Sequence, residues 1–150
     1  MPSTQSTARE ISEDLLCRTG QALMNGDFAQ FMQCFALPQE MDTLDGRRMI
    51  SSEQGMQEMF DGVRAYFSEK GVTELARVCV EASFLSPDTI ATTHKSRLLN
   101  GVTLIQDPYP AYSIVKQMGA QWKITFSQYA ILDEPEHNQA LMSAGDKTDQ

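Results

Sequence analysis

The sequence predicts an α+β domain in which three helices cover one face of a strongly curved, mostly antiparallel sheet. Three observations carry this. Apolar residues recur at helical spacing in separate segments before Gly71, whereas from Thr73 onward apolar and polar residues alternate. Turn signals at Asp45-Gly46, Ser86-Pro87-Asp88, Asn100-Gly101 and Gly119-Ala120 divide the alternating part into strands joined by hairpins. The chain has 150 residues, enough for one good core and short for two.

Taken in order, the first helix begins at Thr7, because Thr7-Ala8-Arg9-Glu10 has the form of a capping box. Ile11, Leu15, Leu16, Ala22 and Leu23 continue it, and Asn25-Gly26 stops it. Asp27 caps a second helix whose Phe28, Phe31, Met32 and Phe35 fall at i, i+3, i+4 and i+7, with Pro38 as its barrier. Leu37 to Leu44 reads as a strand, returning after Asp45-Gly46 as Arg47 to Ile50. Ser51-Ser52-Glu53-Gln54 opens the third helix, with Met56, Met59, Phe60, Val63, Tyr66 and Phe67 as its stripe and Gly71 as its end.

The strands follow. On Thr73 to Ser83, parity sets Ala76, Val78 and Val80 against Arg77, Cys79 and Glu81. On Thr89 to Leu99, Ile90, Thr92, His94, Ser96 and Leu98 share one face, opposite Lys95 and Arg97. Val102 to Met118 contains Pro108 and Pro110, which mark either a bent strand with one edge unpaired or a loop between two short strands. Gln121 to Leu132 closes the domain with Trp122, Ile124, Phe126 and Gln128 on one face. Residues 1–7 and 133–150 read as polar tails around a domain spanning 8–132, the second with room for a short helical turn around Gln139 to Met142.

Twenty acidic residues against 12 basic ones give a formal net charge of −8, which repels nucleic acid and anionic membranes. Arg47-Arg48 is the one adjacent basic pair. The polar start has no signal-peptide pattern, no run is long enough to span a bilayer, and Cys17, Cys34 and Cys79 have neither disulfide nor zinc spacing. A reducing cytoplasm is the expected location. No phosphate loop, nucleophile elbow or metal-ligand cluster is present as a motif, so no cofactor or metal is expected.

The order helix, helix, strand, strand, helix and then antiparallel meander resembles the NTF2-like (cystatin-like cone) superfamily over roughly Ala8 to Leu132. Asn25-Gly26-Asp27-Phe28 and Gln121-Trp122-Lys123-Ile124 are its local markers. The resemblance implies a ligand-sized cavity between sheet and helices and a homodimer formed through the sheet. It includes SnoaL-type cyclases, dehydratases and ketosteroid isomerases, so it admits cofactor-independent proton transfer; fold alone does not decide the reaction.

If the cone is present, the charged pair Lys95 and Arg97 marks the outer side and turns His94 inward. Phe31, Phe35, Met59, Val63 and Tyr66 face it from the helices, and Trp122, Phe126 and Gln128 from the last strand. His94 is the candidate acid or base, with a packed, hydrogen-bonded histidine as the structural alternative. Asp42 lies roughly where the family's isomerases carry a proton-shuttling carboxylate, although Glu40, Asp45 and Arg47-Arg48 make a wet hairpin around it. Tyr112 and Tyr66 are candidate donors, Tyr129 has the opposite parity, and Cys34 lacks an activating neighbour. The expected function is binding of a small apolar or aromatic ligand. The alternatives are an isomerase, dehydratase or cyclase using His94, and a scaffold with a filled core.

Overall fold

In the computed structural model, which describes residues 7–142, Thr7 opens α1 (Ala8–Asn25) with a complete capping box. Its hydroxyl accepts from Glu10 N at 3.0 Å, and the Glu10 carboxylate accepts from Thr7 N at 2.9 Å. Gly26 ends α1 in the left-handed region, at φ 73°. Asp27 caps α2 (Phe28–Met32), and Ser52 caps α3 (Glu53–Lys70). Helix α2 is shorter than its spacing predicts: Phe35 begins β1 (Phe35–Thr43) instead of extending the helix. Aromatic packing explains why the i, i+7 pattern misleads, since Phe35 still meets Phe31 at 4.6 Å, which in turn meets Phe60 at 4.9 Å.

Strand β1 pairs antiparallel with β2 (Gly46–Ile50) through a Leu44-Asp45 turn and parallel with the last strand, β7 (Gln121–Tyr129). Strands β3 (Glu74–Ser86), β4 (Thr89–Asn100), the short β5 (Thr103–Leu104) and β6 (Tyr109–Met118) complete a seven-stranded sheet of order β2-β1-β7-β6-β4-β3, with β5 beside β4. The sheet is therefore mixed, antiparallel apart from the β1–β7 pair. Residues 105–108 lie outside the strands, so Pro108 belongs to a loop leading into β6, while Pro110 lies within β6 opposite Lys95.

Two register shifts decide which side chains face the helices. Cys79 pairs with His94 but Glu81 with Thr93, which leaves Val80 as an extra residue in β3. Val115 pairs with Ile124 but Ile114 with Phe126, which leaves Thr125 extra in β7. Each bulge reverses the facing of every residue beyond it.

The largest departure from expectation is at the C-terminus. The reading of 133–150 as a tail fails for the described residues, because Pro135–Leu141 form a fourth helix, α4, whose His137, Asn138 and Leu141 are buried. Residues 143–150, and residues 1–6 of the predicted N-terminal tail, lie outside the described residues. Polar composition hid α4: its buried groups are held by hydrogen bonds, with Asn138 Nδ2 donating to Ile131 O at 3.0 Å. No helix among the described residues is long and apolar enough to cross a membrane.

Candidate functional site

Strand β4 alternates as its sequence predicts, with Ile90, Thr92, His94, Ser96 and Leu98 all buried and Lys95 and Arg97 exposed. His94, 3% exposed, borders a cavity of about 60 Å3 between the sheet and the helices. Its partner is Arg77 of β3, whose Nη2 donates to His94 Nε2 at 3.4 Å. Arginine only donates, so His94 Nε2 is the acceptor and the ring proton sits on Nδ1. Burial, and secondarily the positive charge of Arg77, lower the His94 pKa to about 3.

Arg77 is anchored to α1 as well. Its Nη1 donates to Thr19 Oγ1 at 2.8 Å and to Leu16 O at 3.4 Å. The Thr19 hydroxyl donates its own proton to Leu15 O at 2.8 Å, so it is free to accept from the guanidinium. Parity groups Arg77 with Cys79, opposite Val78 and Val80; the structure turns Arg77 and Cys79 inward and leaves Val78 and Val80 exposed. The Val80 bulge then shifts the inward facing from Leu75, Arg77 and Cys79 before it to Ala82 beyond it.

The helices supply Phe31, Met59 and Val63 as predicted, together with Leu15, Phe67 and Ser12. Phe35 and Met41 of β1 also border the space. Met41 lies inward on β1, whereas its neighbour Asp42 faces away, bound to Arg47 Nε at 2.8 Å and Nη2 at 3.3 Å. A catalytic carboxylate at Asp42 is thereby removed: it is outside the cavity and already paired.

The last strand corrects the expectation most sharply. Ile124 is inward, but beyond the Thr125 bulge Ser127 and Tyr129 border the cavity, and Phe126 and Gln128 do not. Phe126 instead meets Tyr112 at 6.3 Å, and Tyr112 and Gln128 line a shallow depression on the opposite face of the sheet. Tyr112, expected as a donor, thus lies outside the cavity, and Tyr129, which parity sets outward, borders it. Trp122 sits at the rim, edge-on to Phe84 at 6.0 Å, beside Ile11 and Leu15 of α1. Tyr109, which begins β6, is the other inward tyrosine; burial pushes its hydroxyl well above the ordinary tyrosine range.

Tyr66 lies one layer behind. Its hydroxyl donates to Gln106 Oε1 at 2.8 Å, and its ring stacks on His137 at 4.6 Å. Gln106 Nε2 then donates to His137 Nδ1 at 3.1 Å. Burial raises the Tyr66 pKa to about 12 and lowers that of His137 to about 4. His137 and Leu141 of α4 line the cavity, so this helix closes one end of it. Cys34 is buried, its Sγ lies 3.7 Å from Gln30 O, and burial raises its pKa, which suits a packed thiol and not a nucleophile.

The site thus combines an apolar wall with inward hydroxyls and one guanidinium, and no Asp or Glu borders it among the described residues. No family model and no curated protein matches the chain. Solved structures do. An NTF2-like protein of unknown function from Shewanella oneidensis MR-1 aligns with a TM-score of 0.60 at 16% identity, over 81% of this chain and 97% of that one. An NTF2-like protein with a cystatin-like fold from Novosphingobium aromaticivorans gives 0.64 at 17% identity, over 90% and 88%. A domain of unknown function with a cystatin-like fold from Nostoc punctiforme PCC 73102 gives 0.66 at 16%, over 92% and 86%. At such identities the likeness is one of fold.

Proposed function

We propose that this chain, which has the cystatin-like fold of NTF2-like proteins, uses its cone to hold a small ligand non-covalently. The observation that carries the reading is the inward set Ser12, Arg77, His94 and Tyr109 around unfilled space with Phe31, Met59 and Val63 opposite. A few directed polar groups on an apolar wall are what a ligand site requires. The volume restricts the ligand. About 60 Å3 is far below the roughly 300 Å3 of a drug-sized pocket, so a short chain fits, and a single ring fits once Met41 or Met59 moves aside.

Proton transfer by His94 is the weaker reading. A base with a pKa of about 3 is poorly matched to chemistry at neutral pH, and the carboxylate expected of an isomerase is not in the lining. For assembly, we infer pairing of two copies through the outer sheet face, where Tyr112 and Phe126 make their contact. A wild-type chain that sediments as a monomer would remove that inference. The three free thiols accord with a reducing compartment such as the cytoplasm.

The ligand reading is tested by thermal shift against short-chain and single-ring compounds. A ligand at a hundredfold its Kd stabilises by about 2.7 kcal/mol. At least one compound should raise the Tm of the wild type, and Val63→Phe, which extends a ring into the space, should abolish that response. A wild type that responds to none, or a variant that responds equally, contradicts the reading.

A further inference from the structure

We propose that the molecule held in the cone carries a carboxylate, paired with the Arg77 guanidinium and reached by the Ser12 hydroxyl. This rests on the cone being a ligand site and names the chemical class the site takes.

Arg77 is half-buried between α1 and the sheet, and a guanidinium partly withdrawn from water is best matched by a counter-charge. Among the described residues it makes no ion pair, and its protein partners, Thr19, Leu16 O and His94, are all neutral. Those three bonds engage Nη1 and Nη2 but not Nε. The Nε proton and the second Nη2 proton have no protein acceptor among the described residues, and a carboxylate accepts such a pair in parallel.

Glu13 and Glu74 line the outer groove on the far side of Arg77 without closing on it, and Glu13 is turned to Arg9 at 3.6 Å. Ser12 is the independent observation. It borders the same cavity, is 2% exposed, and its Oγ has no hydrogen-bond partner. An orphaned buried hydroxyl lining the same cavity as a cation without its anion is the arrangement that an acidic ligand completes. The tie from Arg77 to α1 fixes the guanidinium in advance, so little ordering accompanies binding.

The test uses isosteric pairs that differ in charge: butyrate against butyramide, and benzoate against benzamide, titrated into the whole protein by calorimetry at pH 7.5. The acid of at least one pair should bind ten times or more tighter than its amide. Arg77→Met should lose that preference, the acid then binding no tighter than its amide. Should that variant fail to fold, the wild type still decides. Equal affinity for acid and amide, or an unchanged preference in Arg77→Met, overturns the carboxylate assignment and leaves the ligand site standing. Binding of neither member of either pair overturns both.

Discussion

At pH 5.0 the protein should be about 4 kcal/mol less stable than at pH 7.5, from its two histidines alone. Each is buried neutral, with a pKa lowered from 6.5 to about 3 for His94 and about 4 for His137. As the pH falls below 6.5, the unfolded chain takes up a proton at each ring that the folded chain refuses. Stability is therefore full above 6.5 and lost as the pH falls, until it passes the folded values. A shift of one unit corresponds to about 1.4 kcal/mol, so 1.5 pH units below 6.5 cost about 2 kcal/mol per histidine. Against a typical total of about 5–15 kcal/mol, the loss is large. Geometry fixes the sign independently, because both rings accept a hydrogen bond, from Arg77 and from Gln106, that a protonated ring cannot accept. Urea titrations of wild type and His137→Gln should show the pH-dependent drop roughly halved in the variant. An equal drop in both would mean that His137 is not held neutral.

Ending the chain at Asp133 should cost on the order of 5 kcal/mol. Leu141 is 6% exposed, and burying a leucine is worth about 1.5–3 kcal/mol. His137 meets Tyr66, Phe67 and Tyr109 at 4.6, 6.2 and 5.1 Å, contacts of about 0.5–1.5 kcal/mol each by analogy with aromatic pairs. The same truncation removes part of the cavity wall. A chain ending at Met142 retains α4 and serves as the control. The expected result is a lower urea midpoint and new dye-accessible apolar surface for the shorter chain alone. Equal midpoints would return 134–142 to the status of a tail.

These effects also mark where the sequence was legible. Helix ends were, because Thr7, Asp27 and Ser52 cap locally and Gly26 and Gly71 accept left-handed backbone. The facing of β4 was legible too, since that strand keeps strict alternation from Ile90 to Leu98. Residues beyond a bulge were not. Nothing local to Val80 or Thr125 announces an extra residue, and each reverses what parity assigns. Phe126 and Gln128 were therefore read inward, while Ser127 and Tyr129 were missed. Helix α4 escaped for a different reason. Its burial depends on Gln106 and Ile131 satisfying His137 and Asn138, a tertiary condition that seven mostly polar residues do not reveal.

Diffraction from crystals grown with benzoate or butyrate examines the cone itself. Density for the carboxylate within hydrogen-bonding distance of Arg77 Nη2 and Ser12 Oγ, with His94 beside it, is the predicted result. Arg77 turned out into the α1–β3 groove, and methionine and phenylalanine side chains closed over an unoccupied His94, would contradict it.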